Sequence, residues 1–433
     1  MPEARPVFSN ELPIGRRVAY WRGRRNMTQQ LFADRIGKSK SWVDKVERGA
    51  RRLDRYSVIN DIAGVLRVDV AQLLGNTGSH GGTDARDTGR DGIDHLRAAL
   101  ERYPPADSHP GDDSDAGDPP EGTEPTDLAE LGKAVDHAWL SYQHADYQRL
   151  AAGLPRLLHD AQVADRRHTG DDDGTRAAHL LAQAYQIASS VLRKLGDPQL
   201  ARLTADRAVA AAVRAGDPLL VGIAIGRAGN ALLALGRVRP AFETHVVAAH
   251  HLAPAQHFAA DSGGDPADPA RLSVVGALLL RGALAAAHLG DPATMHELLQ
   301  GAERAAEAVG DGHNHYWTSF GPANSHLYRI SAAVVLGDGR RALELRDRIV
   351  PRALARLVPE RRAHLLLDLA RAYAQVGDLT AAAETLLDTE RLAPAEIRHR
   401  PAAREIMIDL LAQATGTPAA SVTELAKRMG LPG

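Results

Sequence analysis

Between Gln29 and Arg52 the chain gathers side chains whose types suit the reading of a nucleic-acid duplex. Lys40, Ser41, Asp44 and Lys45 recur at the i, i+1, i+4, i+5 spacing that keeps them on one face of a helix. Lysine offers donors to the N7 and O6 acceptors of guanine, aspartate accepts from the cytosine amine, and serine can do either. Gln29, Ser39, Arg48, Arg51 and Arg52 flank that set with donors suited to phosphate oxygens, which set affinity without reading sequence. The chemistry expected is recognition: base contacts from the first four residues and backbone contacts from the other five.

Such a face needs a short, capped helix braced by a partner. Thr28 can cap a helix from Gln29 to about Ile36, Gly37 can take the left-handed turn that ends it, and Ser39 can cap a second helix ending near Arg48. Phe32, Ala33, Ile36, Val43 and Val46 fall between the two helices, while Trp42 either meets a thymine methyl or packs on the next helix. Ahead of them, Ile14, Val18 and Trp21 make one stripe on a helix from Ile14 to about Arg25. After them, Asp54 can cap a fourth helix carrying Val58, Ile62, Val65 and Leu66, and a turn from Val70 to Leu74 closes the module. Residues 1–75 hold 15 Lys+Arg against 8 Asp+Glu, a net of +7 in a chain whose total is −2. The positive charge is thus concentrated where phosphates would lie.

Residues 12 to 75, from LPIGRRVAYWRGRR to VLRVDVAQLLG, resemble the lambda-repressor-like (xenobiotic-response-element) helix-turn-helix family. More narrowly, YWRGRRNMTQQLFADRIGKSKSWVDKVERGARRLDRYSVI is similar to a form common in large actinobacterial regulators with a tetratricopeptide-like C-terminal region. The resemblance implies a five-helix domain that recognises an operator in double-stranded DNA. Lys40, Ser41, Asp44 and Lys45 occupy recognition-helix positions that resemble the family's base-contacting ones.

At 433 residues and 44% hydrophobic, the chain can bury at least two cores, and 24% charged residues fit an ordinary soluble protein. It has no cysteine, which excludes disulfides and thiolate zinc sites and fits a reducing cytoplasm. No apolar run reaches membrane-spanning length and MPEARPVFSNELP is no signal peptide, so a cytoplasmic protein without membrane contact is expected. Residues 76–126 are rich in Gly, Asp, Pro, Ser and Thr, with 4 Lys+Arg against 12 Asp+Glu. They read as an acidic flexible linker, although Ile93, Leu96, Ala99 and Leu100 could form one helix that docks on a neighbour.

From residue 127 to 433 the chain repeats itself. LGD or a close relative recurs at Leu195, Leu235, Leu289, Leu336 and Val376, each between an apolar helical run and an Ala-rich one. In LARAYAQVGDLTAAAETLLDTERLAP, Leu369, Ala370, Tyr373, Gly377, Ala382, Leu386 and Pro394 match tetratricopeptide positions. About seven helical hairpins are expected, hence an all-α protein: helix-turn-helix domain, linker and tetratricopeptide-like helical-hairpin solenoid. The first helix of each hairpin would face a concave wall, where the register puts Tyr185, Gln186, Ser190, Arg227, Asn230, Arg281, Asn324, Tyr328, His364, Arg371 and Gln375. Of these, Tyr185, Arg227, Asn230, Arg281, Asn324, Tyr328 and Arg371 are the candidate effector groove. Asparagine can bond a peptide main chain and arginine can grip a carboxylate or phosphate. In WTSFGPANSHLYRI, Trp317 and Phe320 either make a ligand or interdomain contact or pack a helix start.

Other chemistry finds little support. His245, His250 and His251, and the pair His313 and His315, lack the spacing and acidic partners of a metal site. Asp171, Asp172 and Asp173 lack the alternation of a calcium loop, and no phosphate-cradling loop or nucleophile elbow occurs. No cofactor, no metal and no enzymatic activity are expected. The resulting expectation is a sequence-specific DNA-binding transcriptional regulator, a homodimer through its solenoid, that senses a peptide or small-molecule effector. Peptide-pheromone receptors, which this arrangement resembles, join the same two modules. The alternative is an interaction scaffold whose solenoid binds a protein partner that controls operator occupancy.

Overall fold

The computed structural model describes residues 14–25, 27–51, 56–66, 68, 73, 85–101, 127–168, 170, 172–253, 268–398, 400–413 and 420–431. Among these residues all regular structure is helical, and the chain divides into two compact units. One comprises Met1–Asp84 with Met407–Thr417, the other Ala85–Ile406 with Pro418–Gly433.

The first unit is built on α1 (Ile14–Arg24), α2 (Gln29–Arg35), α3 (Lys40–Glu47) and α4 (Tyr56–Leu66). Thr28 Oγ1 accepts from the Leu31 amide and Ser39 Oγ from the Trp42 amide, each at 3.1 Å, so both inner helices start on a side-chain cap. Gly37, at φ +64°, makes the tight turn between them. Val18, Phe32, Ala33, Val43, Ile62, Ala63, Leu66 and Leu73 form the core, and Trp42 packs half-buried against it. A Cβ on Gly15 would stand 2.0 Å from the Val46 carbonyl oxygen, so only glycine lets α1 cross α3 this closely. Asp54, Arg52 and the expected turn from Val70 to Leu74, apart from the buried Leu73, lie outside the described residues.

The stretch read as a linker contains a helix, α5 (Ala85–Glu101), which belongs to the second unit. Its apolar stripe is long enough to bury: Leu96 and Leu100 enter the core of that unit, Arg97 pairs with Asp197 at 2.9 Å, and Arg207 donates to the Leu100 carbonyl. Residues 76–84 and 102–126 lie outside the described residues.

The rest of the second unit is a run of antiparallel helix pairs. They are α6 (Leu128–Gln143) with α7 (Tyr147–Arg167), α8 (Asp172–Leu195) with α9 (Pro198–Arg214), and α10 (Pro218–Ala234) with α11 (Val238–Leu252). Next come α12 (Pro269–His288) with α13 (Pro292–Val309), and α14 (Pro322–Val335) with α15 (Gly339–Arg346). The short α16 (Pro351–Arg356) leads to α17 (Pro359–Val376) with α18 (Leu379–Leu392), then the short α19 (Pro394–Arg398) to α20 (Pro401–Gln413), whose residues from Met407 on group with the first unit, and α21 (Ala420–Arg428). The repeated Gly-Asp explains the pairing. At 290–291, 337–338 and 377–378 the glycine takes a positive φ that ends one helix, and the aspartate carboxylate caps the next. α12 is long and apolar enough to cross a membrane, yet most of it is buried by its neighbours, as befits a core helix.

Hairpins far apart in sequence also meet. Lys194, on α8, lies 2.7 Å from Glu360 on α17 and also pairs with Glu396 on α19, all three buried. Arg400 bonds Glu396 at 2.9 Å, and the Tyr147 hydroxyl donates to the same carboxylate. This ionic knot ties the early hairpins of the solenoid to the late ones.

Candidate functional site

On α3 the expected base-reading residues share a face. Lys40, Ser41 and Lys45 are exposed, and Asp44 is half-buried beside Arg48, with which it forms an i, i+4 ion pair. Arg48 and Arg51 are exposed next to them, and Ser39 is exposed with its hydroxyl engaged as the helix cap. Gln29 is turned inward: its Nε2 donates to Glu47 Oε2 at 2.8 Å. Glu47 is itself buried and gripped by Arg22 at 2.6 and 3.0 Å, while Arg22 Nη1 donates to the Met27 carbonyl at 2.6 Å. One carboxylate therefore fixes α1, the start of α2 and the end of α3 together. Arg22 continues the Val18 stripe and Glu47 the Val43 stripe, each at i+4, so opposite charges on two inward stripes were the available signal.

In the second unit the first helices of successive pairs carry the expected groove residues. Arg227 on α10 and Arg281 on α12 are each 6% exposed. The Arg227 guanidinium lies over the Trp139 ring at 5.1 Å and its Nε has no hydrogen-bond partner. Arg281 Nη1 donates only along its own helix, to the Ala277 carbonyl at 3.3 Å. Neither pairs with a carboxylate among the described residues. Burial, reinforced by Arg281, Arg361 and Arg193, lowers Arg227 to about 9, and burial lowers Arg281 as well.

Asn324, Tyr328 and Arg371 come together around a cavity of about 190 Å³, with Arg361, His364 and Asp368. Asn324 is 3% exposed and its Oδ1 has no partner. Burial works to raise the Tyr328 phenol, but Arg361 and Arg281 outweigh it and hold the phenol below its ordinary value. Burial raises Asp368 and pushes His364 well below the usual histidine range. Arg371 pairs with Glu405 at 3.2 Å. Gln186 is buried with a free Nε2, whereas Ser190 and Gln375 bond main-chain carbonyls. Asn230 is half-buried. Tyr185 lies in the hydrophobic core, its hydroxyl accepting from Gln162 at 2.8 Å, and is not part of the cavity.

The loop from Gly310 to Gly321 crosses to the early hairpins. Asn314 and Gln143 exchange amide hydrogen bonds of 3.0 and 3.1 Å, the Trp317 indole donates to Gln183 at 3.1 Å, and the Tyr316 hydroxyl donates to Asp217 at 2.8 Å. Trp317 stacks on Trp139 with centroids 5.9 Å apart. Tyr316, Trp317 and Ser319 all hold left-handed φ of +49° to +58°, a strained run that these contacts maintain. Phe320 plays the other part expected of this stretch: it is 1% exposed, and its ring fills the space a side chain at Gly276 would need.

His313 and His315 stack on each other, and His245 is fully buried with both ring nitrogens unpartnered, held neutral at about 3 by burial and by Arg281. No group of three metal-ligating side chains occurs among the described residues.

A family model described as a helix-turn-helix domain matches residues 13–74, the stretch that holds α1 to α4. The N-terminal unit carries a helix-turn-helix domain. No curated protein matches the chain in sequence. Among solved structures, PlcR of Bacillus thuringiensis, in complex with the peptide PapR7 and DNA, aligns at 11% identity over 68% of this chain and 94% of that one. The TM-score is 0.28, a likeness too slight to argue from.

A helix-turn-helix domain binds duplex DNA with its second helix in the major groove, and here that helix is α3. The Arg22–Glu47–Gln29 network holds α3 at a fixed angle to the rest of the domain. The Asp44–Arg48 pair gives the face a local neutral point between two lysines.

Proposed function

We propose that this chain is a cytoplasmic DNA-binding transcriptional regulator of the actinobacterial type whose second unit is a tetratricopeptide-like dimerisation and sensor module. The observation that carries the reading is the capped α3 within a matched helix-turn-helix domain, with Lys40, Ser41 and Lys45 exposed on one face. Lys40 and Lys45 read guanines, Asp44 filters for cytosine, and Gln29, Ser39, Arg48, Arg51 and Arg52 hold phosphates. No reaction is assigned to the chain. The sensor reading is supported by the inner wall, where Gln186 Nε2, Arg227 Nε and Asn324 Oδ1 are buried without partners. Buried polar groups in that state gain free energy from a ligand that bonds them. An effector, peptide or small molecule, acts by binding one arrangement of the dimer more tightly than another.

The test is selection of bound sequences from a random DNA pool by the full-length protein, repeated with cell extract, beside sedimentation of the same protein. An enriched palindrome, a dimer, and a shift in enrichment with extract are expected. Absence of any enriched sequence would overturn the DNA-reading assignment, and a monomer would remove the dimer. Enrichment that does not change with extract would count against the sensor.

A further inference from the structure

Buried cations need counter-charges, because the field of an ion is poorly screened away from water. Lys194 meets that need with Glu360 and Glu396, Arg400 with Glu396, and Arg361 lies 3.4 Å from Glu360. Arg227 and Arg281 are more than nine-tenths buried and have no carboxylate among the described residues. Arg281 Nη1 lies 3.8 Å from the point where a Cβ on Gly226, the residue before Arg227, would stand, so its guanidinium lies against α10, and its charge acts on Arg227. Two further cations, Arg193 and Arg361, act on both. Four arginines thus converge from α8, α10, α12 and α17, the first helices of four hairpins.

The geometry points to Arg227 and Arg281 as the seat of an anionic group, a carboxylate or a phosphate, on the effector of the second unit. This assignment rests on the sensor reading of the inner wall. Guanidinium groups present paired N–H donors that match the oxygens of either group, and a bound anion supplies the charge that neither arginine finds in the protein. Arg227 lies over the ring of Trp139, whose indole, like that of Trp317, donates to Gln183 at 3.0 and 3.1 Å. The guanidinium edge is therefore set by a rigid aromatic wall, as a bidentate seat requires. Tyr328 lines the cavity, bonds Arg361 and lies in the field of Arg281. The body of an effector whose anionic end reaches the arginines then lies along Tyr328 and Asn324.

The test uses the full-length protein, titrated with sodium phosphate and separately with sodium acetate, ionic strength being held constant with sodium chloride. Melting temperature and tryptophan emission are read, because Trp139 and Trp317 border the seat. Wild type should show a saturable rise in melting temperature and a change in emission with at least one of the two anions. A response to phosphate alone assigns a phosphorylated effector, and a response to acetate assigns a carboxylate. Arg227→Gln and Arg281→Gln should each weaken that response about tenfold or more, with a melting temperature in chloride no lower than wild type. Arg281→Lys, which keeps the charge and loses the paired donors, should weaken it less. Equal responses in wild type and both glutamine variants, or none in wild type with either anion, would overturn the seat. If those anions bind through these arginines and leave DNA affinity unchanged, the seat stands and the sensor reading fails. If extract alters DNA binding equally in wild type and variants, the sensor stands and the seat fails.

Discussion

The second unit buries positive charge in two ways. Around Lys194 two carboxylates, an arginine and a tyrosine close a neutralised knot between hairpins distant in the chain. Arg227 and Arg281, two more buried cations, have an indole, a main-chain carbonyl, tyrosines and further arginines around them but no carboxylate among the described residues. The first arrangement lowers the energy of the protein alone. The second raises it, and makes sense only with a partner of opposite charge. Burial by itself does not distinguish a staple from a site; what surrounds the charge does.

That contrast makes opposite predictions for similar substitutions. Lys194→Met removes the cation shared by buried Glu360 and Glu396, leaving each with one arginine, and should cost about 3–5 kcal/mol in urea unfolding. A loss under about 1 kcal/mol would mean that the knot is no staple. The same carboxylates give a pH dependence. Burial works to raise both, but Lys194, with Arg361 at Glu360 and Arg400 at Glu396, outweighs it and holds each below the ordinary value of 4.5. Because the folded-state pKa is depressed, this stability is fully present above pH 4.5 and lost as pH falls through the lower native values. Circular dichroism of an acid titration should show the second unit intact at pH 4.5. Arg281→Met should shift stability the other way, raising it by about 1–3 kcal/mol through removal of an unpaired buried charge. A loss of that size would show the pair to be structural.

Smaller effects are expected in the helix-turn-helix domain, where the charges are exposed. Ser39→Ala removes the α3 cap and should cost the domain about 1 kcal/mol, read by its thermal unfolding. Arg51→Ala should weaken all DNA sites alike and flatten the salt dependence of binding by about one unit. An unchanged slope would place Arg51 away from phosphate.

How much was legible in the sequence follows the range of the interactions. The Thr28 and Ser39 caps, the Gly37 turn and the Gly-Asp hairpin turns act within a few residues, and each is written in the residue types. The register also placed Arg227 and Arg281 on first helices of hairpins, and Asn324, Tyr328 and Arg371 near one another. It could not tell wall from core: Tyr185 lies in the core, where Gln162, on the preceding helix α7, donates to its hydroxyl. Pairing across long separations was illegible. Lys194 with Glu396, Arg22 with Glu47, and the approach of α1 to Val46 at Gly15 depend on which helices meet. The docking of α5 within an acidic, Gly-rich stretch was open for the same reason. In the loop from Gly310 to Gly321 the roles of Trp317 and Phe320 were in view, but its backbone was not, since three residues with side chains adopt a conformation that sequence assigns to glycine.

DNA reading by α3 is tested most directly by one comparison: selection from a random duplex pool by wild type, Lys40→Ala and Lys45→Ala, with affinities then measured on the wild-type site. Each variant should bind that site about 1–3 kcal/mol more weakly and tolerate other bases at one position of it. An identical enriched sequence from all three proteins, at equal affinity, would contradict the assignment.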